Sequence, residues 1–292
     1  MRKIGVLSSI CLAVSLCSAQ GWEKIDTILT PDVYNHLFLR INNPTGALKI
    51  ASSTVCGKSF NQLKASAKSL KPQIHNREVS GNLQRDISFV LQEPPRNNLT
   101  ARIALPVTPS LPTYSATYLG DPNIPTNLLI NLGEGSTNLD LSGMSISNLT
   151  IHSALSDLNL AYQSPNKSEM AQMQIHVASA DVILDHLEFA RAKMVNIRND
   201  MGNTTLILGD KRFPKSHVRV MSGAGECQLI VHDRHPVKVI LRNGMFSQVE
   251  IGGSFEKVAS KVYVNKAYQK QEKKACTIIC ETELGTIKIL EE

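Results

Sequence analysis

The chain has 292 residues, of which 42% are hydrophobic and 19% charged, with a formal net charge of +6. This length is enough for one large or two modest domains with a real core. The charge falls to about +4 once Arg2 and Lys3 are set aside, which argues against an obligate nucleic-acid binder, since such proteins usually carry a dense basic patch.

The first 19 residues predict a secretory signal peptide. A short basic start is followed by an apolar stretch over residues 4–16 and by Cys17, Ser18 and Ala19, small residues of the kind that signal peptidase recognises. Cleavage after Ala19 leaves Gln20 at the new N-terminus. Two alternatives stay open: a buried strand or helix at the start of the fold, and lipidation at Cys17, although Leu16 is larger than the residue that usually precedes a lipidated cysteine.

Short runs of alternating apolar and polar residues recur along the mature chain and predict β-strands. Examples are Leu37, Leu39 and Ile41 near the start and Ile287 and Ile289 near the end. No later apolar stretch has the length of about 18 residues that a membrane-spanning helix needs. Helical periodicity is visible only over residues 60–70 and 254–274.

A longer repeat organises these strands. An apolar residue that ends one strand is followed nine and eleven residues later by two more, across a turn such as GEGST, NDMGN or SGAGE. The anchors of successive units lie about 20 to 24 residues apart, a period typical of stacked repeat architectures; they are Ile130, Ile151, Ile175, Ile197 and Val220. The fold class predicted is therefore all-β, a stacked-strand β-solenoid or β-helix-like protein, with a β-sandwich as the competing architecture.

Prolines divide the chain. Seven of them fall between Pro94 and Pro125, and proline is excluded from central strands. We therefore predict a signal peptide over residues 1–19, an N-terminal β region over 20–105, a proline-rich connection over 106–126 and the C-terminal β-solenoid over 127–292. The N-terminal region is interpreted as a smaller β subdomain or as the first layers of the stack.

The segment NLLINLGEGSTNLDLSGMSISNLTIHSALSDLNL, the unit VRVMSGAGECQLIV and the tail from Gly252 onward resemble the toast-rack proteins, a bacterial family of putative adhesins of unknown function. The last turn departs from the family's pattern because Gly285 stands alone where a GxG is usual, and His232 to Pro236 form a polar kink. The resemblance implies an all-β protein of the cell envelope or surface. It carries no catalytic residues onto this chain.

Three clusters qualify as candidate sites. His232, Asp233 and His235 have metal-binding side chains, but the alternative is a solvated polar turn. The turn acids could form a carboxylate column for calcium or bond to backbone amides; they are Glu134, Asp157, Asp181, Asp200 and Glu226. The third cluster is a basic run, which suggests either docking on anionic glycan or lipid headgroups or the blunting of an edge strand; it comprises Lys257, Lys261, Lys266, Lys270, Lys273 and Lys274, with Tyr263 and Tyr268.

The mature chain has four cysteines, Cys56, Cys227, Cys276 and Cys280. Cys276 and Cys280 share a strand face about 13 Å apart, too far for a mutual disulfide. Small buried hydrophobic residues are the simplest interpretation, while the pairing of Cys56 is left open.

No nucleophile elbow and no phosphate-binding loop is present in the sequence. We therefore predict no enzyme, no catalytic, cofactor or metal residues, and no cofactor. The predicted function is a non-catalytic exported module in the periplasm, at the outer membrane or on the cell surface, with a glycan, an anionic envelope surface or another envelope protein as partner. The alternatives are a polysaccharide-active β-helix enzyme and a scaffold partner in envelope stress sensing.

Overall fold

The computed structural model describes residues 23–29, 35–53, 61–67, 70–91, 115–211 and 216–292. The predicted signal peptide, Cys17, Cys56 and residues 106–114 of the predicted proline-rich connection lie outside these ranges. The strands are β1 (Glu23–Leu29), β2 (Leu37–Ser52), β3 (Asn61–Ala67), β4 (Leu70–Val79), β5 (Asn82–Leu91), β6 (Ser115–Gly120), β7 (Thr126–Asp140), β8 (Ile146–Ala161), β9 (Met170–Ser179), β10 (Val182–Asp185), β11 (Ala192–Met201), β12 (Thr204–Leu208), β13 (His217–Val231), β14 (Val237–Asn243), β15 (Gln248–Ile251), β16 (Glu256–Ala259), β17 (Val262–Val264) and β18 (Cys276–Glu291). The helices are α1 (Lys266–Gln271) and the 3-10 turns Leu187–Ala190 and Glu272–Lys274.

The prediction of an all-β protein is confirmed. The strands form two ladders. In the first, the order is β4-β5-β2-β7-β8-β9-β11-β13-β18-β14-β17-β16. In the second, it is β1-β3-β6-β2-β7-β8-β10-β12-β13-β18-β15.

Each layer of the stack supplies one strand segment to each ladder. The long strands β2, β7, β8, β13 and β18 bend at a central turn and run through both. In other layers two shorter strands replace the long one, each in a different ladder. β9 with β10 and β11 with β12 are examples. The pairings from β2 through β18 to β14 and β15 are parallel, because these layers are traversed in the same direction, whereas the pairings of β1, β3, β4, β16 and β17 are antiparallel.

The repeat anchors read from the sequence are partners in this register. Ile130 lies opposite Ile151, Ile151 opposite Ile175, Ile175 opposite Ile197, and Ile197 opposite Val220. All of them are at most 2% exposed. The matching inward column of the second ladder runs through Leu139, Leu160, Leu184, Leu206, Leu229 and Ile289. The core therefore lies between the two ladders and continues from layer to layer.

Two helical expectations differ from the structure. Residues 61–67 form strand β3 instead of a helix, because β3 is paired along both edges, with β1 and with β6. In the segment 254–274, only α1 and the following 3-10 turn are helical, and β16 and β17 occupy the rest. Asn265 caps α1, since its side chain accepts from the Tyr268 amide.

At the C-terminal end, the order of the layers in the stack differs from the order of the strands in the sequence. β18 is the last strand in the sequence, yet it pairs with β13 on one side and with β14 and β15 on the other. The segment between β13 and β18 thus folds over the end of the stack, and the terminal strand enters beneath it. Residues 276–292 are for this reason an internal layer of the stack.

Candidate functional site

The outer face of the first ladder carries one polar column. Each anchor residue points inward, so the next residue in the chain points outward, and parallel register stacks these outward residues layer upon layer. The column consists of Ser88, Asn42, Asn131, His152, His176, Arg198, Met221, Glu281 and Arg242.

The column changes chemistry along its length. At the β5 end it is neutral: Asn42 donates to Ser88 (2.9 Å) and accepts from Asn131 (2.7 Å). In the middle, the rings of His152 and His176 meet edge to face with centroids 6.4 Å apart. Charged groups dominate from β11 onward.

Asp200 joins the histidine part of the column to the arginine part. Its carboxylate lies 3.1 Å from His176 Nε2 and accepts a hydrogen bond of 2.6 Å from Arg198 Nε. The hydrogen bonds from Arg198 and then from His176 lower the pKa of Asp200 below its ordinary value. Asp200 is thus a fixed acceptor on the surface.

Glu281 lies between two arginines. Arg219 donates to it through two nitrogens, Nε at 3.1 Å and Nη2 at 2.8 Å, and Arg242 donates from Nη1 at 2.9 Å. The Glu281 side chain is 15% exposed, while that of Arg242 is 59% exposed. The fork geometry is the strong, directional form of such pairs, and its hydrogen bonds raise the pKa of Arg219. One face of the Arg242 guanidinium therefore stays open to solvent.

A groove of about 910 Å³ crosses β11, β13, β18 and β14 at this end of the column. We call it the polar groove. Its charged lining residues are Arg198, Asp200, Arg242, Lys261, Glu281 and Glu283. Lys261 reaches it from the β16–β17 turn and donates to the carbonyl of Asn243 at 3.3 Å.

The turn after β14 forms one lip of the polar groove. Gly244 lines the groove, and the turn is closed by a bond from Ser247 N to Gly244 O of 3.4 Å. The two residues between them, Met245 and Phe246, are 95% and 78% exposed. This turn therefore presents two strongly exposed apolar side chains next to the groove-lining Gly244.

A second groove on the same face is smaller. It has a volume of about 300 Å³, lies at the β5 end and is lined by Phe38, Arg40 and Asp86 among others. Arg40 is 50% exposed and lies 3.7 Å from Asp86. The smaller groove thus contains one ion pair, whereas the polar groove contains a network of ion pairs.

The predicted cluster does not form a common binding site, because the side chains of His232, Asp233 and His235 do not meet at one point. His232 Nδ1 lies 2.9 Å from Asp233, whereas His235 is 1% exposed and bonds through Nδ1 to the carbonyl of Gly209. Burial lowers the pKa of His235. Within the described ranges, no three His, Cys, Asp or Glu side chains gather closely enough to hold a metal ion.

Three of the five turn acids have one of two roles. Asp157 accepts from the amide of Asp181, and Asp181 accepts in turn from the amide of Asn203, so each carboxylate caps the next layer. Asn203 continues this pattern by accepting from the amide of Glu226. These acids bond to backbone amides as the simpler interpretation held, although the amides belong to the neighbouring layer. Asp200 alone among them lines the polar groove.

The predicted basic run does not form one patch. Lys261 lies at the polar groove, whereas Lys266 and Lys270 line a separate cleft of about 560 Å³ together with Asp210, Asp233 and Glu291. Acidic residues thus accompany the lysines in that cleft, which weakens the case for an anionic partner there.

Three cysteines are described, and Cys227, Cys276 and Cys280 are all buried as free thiols. The interpretation of these residues as small core side chains is confirmed. The described part of the chain also contains no helix with the length and hydropathy that a transmembrane span requires.

The sequence analysis missed Arg198, Arg242 and Glu281. The anchor spacing contained a signal for the first, because shifting each anchor by one residue gives Asn131, His152, His176 and Arg198. Glu281 and Arg242 were out of reach, since β18 and β14 enter the stack out of chain order.

Residues 121–183 match the family model Toast_rack_N, the N-terminal domain of toast_rack, DUF2154. No curated protein matches the chain.

Several solved structures are similar over most of their length. A putative cell adhesion protein from Clostridium sporogenes ATCC 15579 is 16% identical, with a TM-score of 0.47 and coverage of 93% of this chain and 100% of its own. A putative adhesin from Bacteroides fragilis NCTC 9343 is 10% identical, with a TM-score of 0.37 and coverage of 93% and 98%. A putative lipid binding protein from Parabacteroides distasonis ATCC 8503 is 9% identical, with a TM-score of 0.34 and coverage of 92% and 97%. The resemblance found in the sequence is thus confirmed, and the chain is toast-rack-like, with the match carried by residues 121–183.

Proposed function

We propose that this protein is an exported, non-catalytic binding module of the cell envelope, a β-solenoid that holds a glycan in the polar groove. The observation that carries the proposal is the Arg219–Glu281–Arg242 network at a groove lined by Gly244, which the exposed Met245 and Phe246 follow in the chain. Residues 1–19 serve as the signal peptide, and residues 127–292 form the main solenoid, preceded by the N-terminal region 20–105 and the connection 106–126.

The solenoid supports this function through rigidity. Successive layers share backbone hydrogen bonds and a continuous core, so side chains on the outer face keep fixed spacings of about 4.8 Å. A surface with a regular repeat suits an extended polymer, whose units can contact equivalent positions on neighbouring strands.

The chemistry of the groove suits a glycan. Guanidinium and carboxylate groups present donors and acceptors side by side, which matches the neighbouring hydroxyls of a sugar. Phe246, two residues after the groove-lining Gly244, offers an exposed aromatic ring on which the apolar face of a pyranose can pack. The salt bridges fix the polar groups before binding, so little side-chain entropy is lost on association.

The electrostatics favour binding over hydrolysis. A glycosidase needs one carboxylic acid whose pKa is raised so that it can protonate the leaving oxygen. In the groove, Asp200 has a lowered pKa, and Glu281 accepts hydrogen bonds from Arg219 and Arg242. Asp200 is therefore unsuited to the role of that acid.

The test is a glycan array on the purified mature protein, followed by titration of the best ligand. We expect Arg242→Ala to weaken binding about tenfold or more, and Phe246→Ala to weaken it less. Arg40→Ala is the matched control, since Arg40 is a similarly exposed, acid-paired arginine on the same face. Its variant should bind like the parent.

Three results would overturn the proposal. They are the absence of any glycan bound, a loss of binding with Arg40→Ala but not with Arg242→Ala, and turnover of the bound glycan. Export is tested separately by sequencing the N-terminus of the protein recovered outside the cytoplasm, where Gln20 is expected.

A further inference from the structure

Two cysteines from neighbouring layers meet in the core. β13 and β18 pair in register from His217 opposite Thr277 to Val231 opposite Glu291. Cys280 lies opposite Val220 in the first ladder, and Cys227 lies opposite Ile287 in the second. The two cysteines thus point into the core from opposite ladders in neighbouring layers, on either side of the turn where the long strands bend.

Their side chains are buried together. Cys227 and Cys280 are each 1% exposed, and a hydrogen bond with the Cys227 thiol raises the pKa of Cys280. Because a long ladder fixes the relative position of the two strands, the two inward thiols keep a constant placement in the core, and a disulfide requires them to meet at about 2.05 Å.

We propose that Cys227 and Cys280 form a disulfide that staples β18 to β13. In the reaction each thiol loses one proton, the two sulfurs share a new bond, and two electrons pass to a second disulfide, that of an oxidoreductase or of oxidised glutathione, which becomes two thiols. Formation of the bond in the cell requires an oxidising compartment, and that condition rests on the export proposed above. The geometry of the cysteine pair does not depend on export.

The proposed disulfide would stabilise the pairing of β18 with β13. β18 must insert next to β13 only after the intervening segment, which includes β14 to β17 and α1, has been made. A bond between residues 227 and 280 closes that loop and so restricts the unfolded chain, the usual origin of disulfide stabilisation.

The bond has to form early. Contact with Cys227 and burial both raise the pKa of Cys280 well above its ordinary value. The thiolate is the species that attacks a disulfide, so the closed core disfavours exchange. We therefore expect oxidation during folding, before the core is sealed, and slow oxidation of the folded, reduced protein.

Cys276 provides an internal control. It lies on the same strand as Cys280, also points inward and is 0% exposed. Burial raises its pKa to about 12. Strand geometry places it about 13 Å from Cys280, out of reach of the same bond.

The experiment maps disulfides by mass spectrometry of peptides digested without reductant. One sample is the full chain after export, and the other is the mature chain refolded from denaturant with reduced and oxidised glutathione. We expect both to contain a Cys227–Cys280 cross-link, lighter than the reduced pair by two hydrogen atoms, and to leave Cys276 free.

Each possible result of the disulfide mapping supports or contradicts the proposal. Free thiols at both positions in both samples, or a link from either cysteine to Cys56 or Cys276, would overturn the proposal. A cross-link after refolding that is absent from the exported sample would support the pairing and contradict its oxidation in the compartment that the exported chain reaches.

Thermal unfolding gives a second test. Reductant should lower the melting temperature of the oxidised parent, and of its Cys276→Ser variant, by about 5 °C. The Cys227→Ser variant should show no response to reductant. A response to reductant in Cys227→Ser equal to that of the parent would contradict the proposed bond. If Cys227→Ser folds poorly, the effect of reductant on the parent and on Cys276→Ser still tests the proposal.

Discussion

At the residue scale, glycine determines how closely the layers can stack at the central turns. Gly202, Gly225 and Gly285 occupy equivalent turn positions with φ of 118°, 132° and 158°. A Cβ on Gly225 would lie closer than 3.0 Å to the carbonyl of Gly202, and a Cβ on Gly285 would meet Gly225 in the same way. Both the backbone conformation and the lack of space require glycine here.

We predict that Gly225→Ala destabilises the protein by about 3 kcal/mol or more, because the new methyl group strains a left-handed residue and forces two layers apart. Denaturant unfolding measures this change. Gly252→Ala is the control, since its Cβ would lie at an ordinary 3.6 Å from the Ile289 carbonyl and no positive φ is required. Similar losses in both variants would contradict the argument.

Glu188 is a buried acid with one satisfied oxygen. It is 2% exposed, its Oε2 accepts from the Gly209 amide at 3.1 Å, and its Oε1 has no hydrogen-bond partner. Desolvation raises the pKa of Glu188 above its ordinary value, against the smaller opposing effect of its backbone hydrogen bonds. The folded protein therefore binds a proton more tightly there than the unfolded chain does.

The sign of the pH dependence follows from that difference. As pH rises from the ordinary glutamate pKa to the raised folded value, the Glu188 contribution to stability falls, and it stays low above that range. We predict that Glu188→Gln increases the free energy of unfolding at pH 7 by on the order of 1 kcal/mol and changes it less at pH 4.

Glu169→Gln serves as the matched control for this prediction. The pKa of Glu169 is lowered by its hydrogen bond with Lys193, so the amide should not stabilise the protein at pH 7. A Glu188→Gln variant that is less stable than the parent at pH 7 would show that the carboxylate has a favourable role instead.

At the element scale, the position of β18 inside the stack makes it the strand on which the C-terminal end depends. It pairs with β13, β14 and β15, and its inward residues Ile278, Ile287 and Ile289 are 0% exposed. Its removal would leave the edge of β13 open along both ladders and take from β15 its only described strand partner.

We predict that deletion of residues 276–292 causes aggregation. A long, apolar and unpaired edge is a template for pairing with other chains. Size-exclusion chromatography and thermal unfolding of the truncated protein measure the effect. A truncated protein that stays monomeric and melts at the temperature of the parent would contradict it.

The same element shows how far the sequence could predict the structure. The alternation and the spacing of Ile130, Ile151, Ile175, Ile197 and Val220 placed five anchors in their observed register, because these layers follow one another along the chain. The spacing could not place β18 beside β13, since the partner of Val220 is Cys280, beyond an intervening segment. The charged end of the polar groove depends on that insertion and was not predictable from local pattern.

At the scale of the whole molecule, the N-terminal region continues the stack. β2 pairs with β7 from Leu37 opposite Thr126 to Ile50 opposite Leu139. On its other edge, β2 pairs with β5 in the first ladder and with β6 in the second. Ile41 and Ile50, at 1% and 0% exposed, extend the same inward columns that cross the C-terminal layers. A single core therefore links the described strands from β2 to β18.

We predict that a fragment limited to residues 127–292 does not fold as a monomer, because it would expose the β2-facing edge of β7 and the columns that end there. Analytical ultracentrifugation and amide hydrogen exchange of the fragment measure this. The control is the mature chain cut at a protease site inserted between residues 92 and 114. Since β5 and β6 both bond to β2, the two pieces should stay associated and protected. A monomeric, well-protected 127–292 fragment would instead make the C-terminal part a domain of its own, with the N-terminal strands an addition that it does not require.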